Sequence, residues 1–453
     1  ESIVICLISY ILALFIVNDL SYTPIANWVD ADIRLSQYKG LILLTALIAI
    51  LTGCLAGLYP AIRSTSYAPA LVLKGSFGLS PKGKKVRVAL IGFQYTVSIA
   101  LIIVTLFMGL QNHFMTSSEQ LGFNKDQVAI VNLPPEIYAK HKPQYIQKLK
   151  DYPGIEDVAF SVYELSKEDD MIDLEYARHE DKDVFFKVFY ASENFLSVMD
   201  IQVEEGRDFT REDLNKAQSD YIINPAAERD FHLHPGDRFN DRTVLGVSKD
   251  FRFNSCRIAS SPFVFALNND IPNPKLVSYI RFNSKTNLQE AVAHVRETLK
   301  EIDPTFPFEI SFYNTILNNL YQKEQTLGKL ISLFGIMAIL ISIVGVFGLV
   351  LFETQYRRKE IGIRKINGAT TGQILLMFNK TYIRIVSVCF IISIPIAWMG
   401  TQQWLENFAY KTPLHLWVFI VAFLIILSVT IGTVTFRNWQ AANENPVNSV
   451  KSE

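Results

Sequence analysis

Arg357, Arg358 and Lys359 stand side by side, and Arg364 and Lys365 repeat the charge further along, with Glu360 as the acid between them. Guanidinium and ammonium groups at this density do recognition chemistry: they grip carboxylates or phosphates and make no bonds of their own. Read as a short helix, the segment places Glu360 and Arg364 at i and i+4 with the acid first, the favoured order, and Ile361 and Ile366 are expected to share a side with neighbouring apolar positions. Asn367-Gly368 ends that helix, and Thr370-Thr371-Gly372-Gln373 offers a capping box to the next one. A rigid, capped hairpin of this kind can transmit force from another protein. The competing reading is that Arg357, Arg358, Lys359, Arg364 and Lys365 only anchor the helix to anionic lipid headgroups.

Other constellations are weaker. Gly78-Leu79-Ser80-Pro81-Lys82-Gly83-Lys84-Lys85 has phosphate-loop spacing, but Lys85 stands where Mg²⁺ coordination needs Ser or Thr, and Pro81 interrupts it. It is read as a basic linker. His232 and His234, beside Asp230 and Asp237, share a face if extended, yet Pro235-Gly236 points to a surface turn and no metal site is expected. Glu164, Glu168, Asp169, Asp170, Asp173 and Glu175 lack Ca²⁺-loop spacing and are read as a solvated face. Gly53 and Gly57 form a GxxxG pair that permits close helix contact. No nucleophile, base or paired-carboxylate arrangement stands out, so catalysis is not expected of this chain.

The elements that must position the basic hairpin are apolar. Hydrophobic residues make up 49% of the chain, and the mean hydropathy of +0.20 is only slightly above that of a soluble protein. What decides the class is distribution. Uncharged runs cover Ser2 to Asn18, Gly40 to Ile62, Val88 to Leu110, Leu330 to Phe352, Ile385 to Leu405 and Thr412 to Phe436. A bilayer core about 30 Å thick needs about 20 helical residues, so these runs are expected to span it. The first is short and begins at Glu1, without a basic n-region or a cleavage site. It is read as a span whose start is cut off, in a chain that is a piece of a longer protein.

Orientation follows from Lys and Arg beside the spans. Arg63, Lys74, Lys82, Lys84, Lys85 and Arg87 crowd the loop 59–87, and the cations of 353–384 crowd the other, so both belong in the cytoplasm. The segments 18–39, 111–329 and 406–411 then fall outside. Lys329, Lys380, Arg384 and His415 lie near span ends, and no ionisable residue lies deep, which counts against ion-coupled transport. The net charge of -1 gives nucleic acid binding no support, and four cysteines, with Cys256 alone outside, offer no disulfide framework.

The segment 111–329 is large enough for a core of its own. Helix is expected at Tyr145 to Lys150, Pro225 to Asp230 and Leu288 to Ile302, and strand at Val158 to Val162, Tyr221 to Ile223, Val244 to Val247, Val277 to Phe282 and Phe308 to Phe312, an α+β mixture. One helix N-capped by Asn314 is expected from Thr315 to Phe352, about 57 Å at about 1.5 Å per residue, with a bend at Gly328 as the alternative. A weak repeat pairs Tyr59, Pro69 and Lys74 with Phe436, Pro446 and Lys451, each 377 positions on.

The run Arg357 to Lys365 followed by Asn367-Gly368-Ala369 and Gln373-Ile374 resembles the signature of FtsX/MacB-like permeases of ABC transporters, as does Ala442-Asn443-Glu444-Asn445-Pro446-Val447. Glu205-Gly206-Arg207-Asp208-Phe209 and Gly246-Val247-Ser248-Lys249-Asp250-Phe251 are similar to the MacB-type periplasmic core domain. The resemblance implies a multi-pass α-helical membrane protein with an α+β extracytoplasmic domain. On it, 1–75 are the last two membrane helices of a first, truncated permease unit, 76–111 a cytoplasmic linker and the first helix of a second, and 112–325 the periplasmic core domain. Residues 326–436 supply three membrane helices with an ATPase-docking segment at 357–369, and 437–453 a cytoplasmic tail. The docking residues it implies are Arg357, Arg358, Lys359, Glu360, Ile361, Gly362, Arg364, Lys365, Gly368 and Ala369. It further implies a bacterial inner-membrane location and a separate cytoplasmic ABC ATPase that carries ATP and Mg²⁺, this chain holding no cofactor. The output is export with a periplasmic adaptor or outer-membrane partner, or else FtsX-like activation of a cell-wall hydrolase. A nucleotide-independent membrane-tethered sensor is the rival from another class.

Overall fold

The computed structural model describes residues 1–23, 38–65, 81–117, 121–166, 173–216, 218–252, 255–267 and 276–443. The phosphate-loop-like stretch from 78 to 80, Glu168 to Asp170, Pro69, Lys74 and the tail motif from Glu444 onward lie outside them. The chain divides into two compact units, one of residues 1–108, 325–401 and 414–453, the other of 109–324 and 402–413.

The first unit is helical. Its helices α1 (Ser2–Leu20), α2 (Lys39–Thr65), α3 (Pro81–Thr116), α9 (Gln322–Tyr356), α11 (Thr371–Leu405) and α12 (Leu416–Ala442) include six segments long and apolar enough to cross a membrane. The protein is a multi-pass α-helical membrane protein. Inside the unit α3 is the hub: Tyr95 meets Thr430 Oγ1 of α12 at 2.9 Å, Ser98 meets Ser342 of α9 at 3.0 Å, and Phe107 packs edge-on against Phe419. Such hydroxyl pairs answer one another where no water reaches them. Pro395 leaves the carbonyl four residues back without its usual donor, yet α11 runs on past it, as neighbouring helices allow. Helix α1 rests on α2, its Tyr10 hydroxyl donating to Ile42 O at 2.6 Å.

The second unit is built on a mixed sheet of the strands β1 (Val128–Leu133), β2 (Ile155–Ser161), β3 (Asp173–His179), β4 (Lys182–Ala191), β5 (Val203–Gly206), β6 (Tyr221–Ile223), β7 (Arg238–Phe239), β8 (Arg242–Ser248), β9 (Phe263–Leu267), β10 (Leu276–Phe282) and β11 (Ile310–Phe312). Their order is β11-β1-β10-β2-β4-β9-β6-β8-β5, with β3 on β4 and β7 on β8. Strand alternation builds two layers. Val128, Ile130, Val277 and Tyr279 face one core with α5 (Phe195–Met199), while Ala129, Val131, Leu276 and Ile280 face another with α4 (Pro135–Lys150) and α7 (Leu288–Ile302). A third cluster gathers Tyr221, Ile223, Val264 and Ala266 with Phe231 of α6 (Pro225–Phe231).

The expected helix from Thr315 is two elements. Helix α8 (Tyr313–Leu320) stops at Tyr321 (φ -107°, ψ 16°), and α9 starts at Gln322, passing Gly328 unbroken. The break belongs to Tyr321, which is buried: its hydroxyl accepts from Cys256 N at 3.1 Å and donates to Cys256 Sγ at 3.3 Å.

Candidate functional site

The basic segment folds as α10 (Arg358–Ile366) between α9 and α11. Its start is locked by charge. Arg357, at the junction, bridges back to Glu353 at 3.0 Å and forward to Glu360 at 4.0 Å, and Glu360 reaches Arg364 at 2.8 Å, the expected i and i+4 pair. Glu353 also accepts from the Tyr382 hydroxyl of α11 at 3.3 Å, and Thr354 pairs with Asn438 of α12 at 2.7 Å. The end of α9 is therefore tied to both following helices through side chains that sit largely out of solvent.

The end of α10 is a Schellman turn. Gly368 takes φ +88°, its N–H bonds Lys365 O at 3.0 Å, and Ala369 N–H bonds Arg364 O at 2.9 Å. The capping box follows at once, with Gln373 N–H on Thr370 Oγ1 at 3.3 Å and Thr370 N–H on Gln373 Oε1 at 3.1 Å. The turn and the box thus fix Gly368, Ala369, Thr370 and Gln373 by hydrogen bonds, which stiffens the corner.

Burial sorts the residues of α10. Ile361 (4% exposed) and Gly362 face inward. Ile363 and Ile366 are 55% and 65% exposed. The expectation that Ile361 and Ile366 share a side fails, because five residues turn a helix by about 140°; the outward pair is Ile363 and Ile366, three apart. Glu360 and Arg364 are part-exposed at 41% and 49% of their side chains, and Arg358 and Lys365 are half-buried. The side chain of Lys359 lies outside the described ones. Sequence reasoning missed Ile363 and Ile366 as surface, and missed Glu353 and Tyr382 as supports; the Glu353 and Arg357 spacing of four was the signal available.

Gly53 and Gly57 lie against α1: a Cβ on Gly53 would stand 2.9 Å from Ile3 Cα, and one on Gly57 3.2 Å from Ser2 Cβ.

In the second unit, segment 402–413 joins the residues around Cys256 and Tyr321. Tyr410 N–H bonds Cys256 O at 3.0 Å, its hydroxyl accepts from Ser260 N at 3.0 Å, and its carbonyl accepts from Gln111 Nε2 at 3.1 Å. Arg257 pairs with the buried Glu324 at 2.8 Å and lies over Phe408 at 4.9 Å. Burial, and then the neighbouring Cys256, push the Tyr321 hydroxyl above its ordinary pKa.

The two sequence motifs of this unit serve its architecture. Gly206 adopts φ +79°, and a Cβ there would fall 2.2 Å from Leu245 O. Arg207 forks onto Asp213 at 2.7 and 2.9 Å, holding its carboxyl well below the usual carboxylate range. Phe251 is fully buried between Phe263 and Phe265, and burial raises the Asp250 carboxyl. Glu164 is buried at 6% exposure, so it does not belong to the solvated face expected of the acidic stretch, and the part-buried Glu175 accepts from the Tyr190 hydroxyl at 2.7 Å. His234 stands 3.5 Å from Glu228, and these two with Glu205 bring one ligand atom each within 4.8 Å. His232 instead ends α6 at φ 53°.

Residues 332–446 match the family model described as FtsX-like permease C-terminal. The chain is 25% identical over 212 residues to the macrolide export ATP-binding/permease protein MacB of Aggregatibacter actinomycetemcomitans, covering 44% of this chain and 32% of that protein. It is 25% identical over 223 residues to MacB of Neisseria gonorrhoeae, covering 46% and 34%. The match thus spans about a third of the length of these curated relatives. Among solved structures, the periplasmic region of MacB from Actinobacillus actinomycetemcomitans is 14% identical with a TM-score of 0.33, covering 46% of this chain and 97% of that one. The extracellular domain of the noncanonic ABC-type transporter YknZ from Gram-positive bacteria is 15% identical with a TM-score of 0.30, covering 40% and 99%. With its apolar spans and the segment 332–446 that matches the FtsX-like permease C-terminal model and carries the capped basic corner, the chain is similar to FtsX/MacB-like permeases.

Proposed function

We propose that the chain is the membrane subunit of an ATP-driven exporter in the bacterial cytoplasmic membrane, with α10 as the face on which a separate ATPase subunit docks. The observation that carries this reading is the corner itself. Helix α10 presents Ile363, Ile366 and part-exposed Arg364 outward, while Arg357, Glu353 and Tyr382 tie its base to α9 and α11. A mere lipid anchor needs cations and an apolar face, but it does not need a Schellman turn, a capping box and a charge bridge that make the corner rigid. Rigidity matters where a push at one surface must arrive elsewhere without being absorbed.

In this reading the ATPase supplies ATP, Mg²⁺ and the hydrolytic chemistry, and α10 receives its movement. Helix α9, unbroken from Gln322 to Tyr356, carries the displacement along its axis toward the mixed-sheet domain, which lies in the periplasm. Export is the direction favoured by the likeness to proteins named for macrolide export. The decisive test is co-purification. Ile363→Glu with Ile366→Glu should abolish recovery of a cytoplasmic ATPase with the full chain in mild detergent, while the chain still inserts in membranes. Unchanged recovery rejects the docking role.

A further inference from the structure

The membrane unit holds a groove of about 1050 Å³ between α3 and α11. It follows α3 from Val88 to Val104 and α11 from Arg384 to Gly400. Sixteen residue steps on each helix make it about 24 Å long, most of the roughly 30 Å depth of a bilayer core. Small residues open it: Gly92 and Ala100 on one wall, Ala397 and Gly400 on the other. Besides the buried thiol of Cys389, two lining side chains are polar. Thr96 is one, and it returns its hydroxyl to Gly92 O at 2.9 Å, so it offers the groove nothing.

Arg384 is the other. It stands where the uncharged run of α11 begins, and Val88 opposite stands where that of α3 begins, so the charged end of the groove lies at the edge of the hydrocarbon. Arg384 is exposed, and so is Lys380 one turn earlier on the same helix. Neither has a hydrogen bond or ion pair among the described residues. Like charges at i and i+4 repel unless an anion lies between them.

A long apolar trench that ends at the uncompensated Arg384, with Lys380 one turn beyond it on the same helix, is complementary to one kind of molecule. We propose that it is a binding site for an anionic phospholipid, with an acyl chain along α3 and α11 and the phosphate held by Arg384 and Lys380. Free phosphate would leave the trench unfilled. A helix of a second copy would have to bring a carboxylate to the membrane edge. Under the proposed topology the site faces the inner leaflet, but the binding chemistry does not depend on the ATPase, so this proposal can fail while the docking reading stands, and the reverse.

The test uses the full chain in mild detergent, titrated with dioleoyl phosphatidylglycerol or with dioleoyl phosphatidylcholine, and reads the thermal unfolding midpoint and bound lipid by native mass spectrometry. Two headgroup cations predict about 30-fold tighter binding of phosphatidylglycerol. The Lys380→Gln/Arg384→Gln variant should lose that preference while keeping its fold. Val97→Trp, which fills the trench from an exposed position, should weaken both lipids. Equal affinity for the two lipids, or a preference that survives Lys380→Gln/Arg384→Gln, overturns the proposal. So does inorganic phosphate alone reproducing the shift, or a Val97→Cys variant that forms a disulfide-linked dimer in membranes, which would give the groove to a second copy.

Discussion

The Arg252 guanidinium lies over the Tyr410 ring, 4.3 Å from its centroid, and so holds the segment 402–413 to the mixed-sheet unit. Phe114 takes the same guanidinium at 4.9 Å, and the Tyr410 main chain and hydroxyl are both hydrogen-bonded. A loop between two apolar helices is thereby part of the folded domain.

Truncating Tyr410 removes a cation–π contact, a hydrogen bond and buried ring area together. Tyr410→Ala should destabilise the mixed-sheet unit by roughly 2–4 kcal/mol, and Tyr410→Phe, which keeps the ring, by only about 1 kcal/mol. Thermal unfolding of the two variants checks the order; equal losses would show that the ring contact contributes nothing.

Gly206 cannot accept a side chain. With φ +79° and a would-be Cβ at 2.2 Å from Leu245 O, Gly206→Ala should cost about 3 kcal/mol or more, through strain at β5 and β8. Limited proteolysis of the second unit should show earlier cleavage in that variant than in the parent.

Asp213 predicts an acid-dependent stability. Its folded pKa is depressed, chiefly by Arg207, so its contribution is complete above the unfolded value of about 3.9 and fades as pH falls below that toward the folded value. Asp213→Asn should lower the unfolding midpoint near neutral pH, and the gap to the parent should narrow steadily from pH 5 down to about pH 2.5. A gap independent of pH would mean the carboxylate charge is immaterial.

Glu353→Gln separates docking from transmission. The amide can still meet Tyr382 but no longer pairs with Arg357 as an ion, and the outward Ile363 and Ile366 are untouched. ATPase recovery should stay near the parent level while stimulation of nucleotide hydrolysis in liposomes falls several-fold. Loss of both together would place Glu353 in the fold alone.

Much of this architecture is legible in the residues because its causes are local. The spans show as charge-free runs, Leu288–Ile302 by its helical period, and the Thr370 to Gln373 box by its spacing. Strand β9 (Phe263–Leu267) escapes for the opposite reason: buried on both faces, it lacks alternation. The stop at Tyr321 is equally hidden, since nothing in the helix-compatible Leu320-Tyr321-Gln322 announces that Cys256 will claim the hydroxyl. At the basic corner the charges are readable, but which isoleucines face out depends on how α10 seats against its neighbours.

The polypeptide passes between its two units at four places: after 108, 324, 401 and 413. A domain inserted once into a chain is held by two covalent links. Here there are four such links, so the mixed-sheet unit is no terminal appendage: a nick in any single one still leaves it covalently joined to the helices.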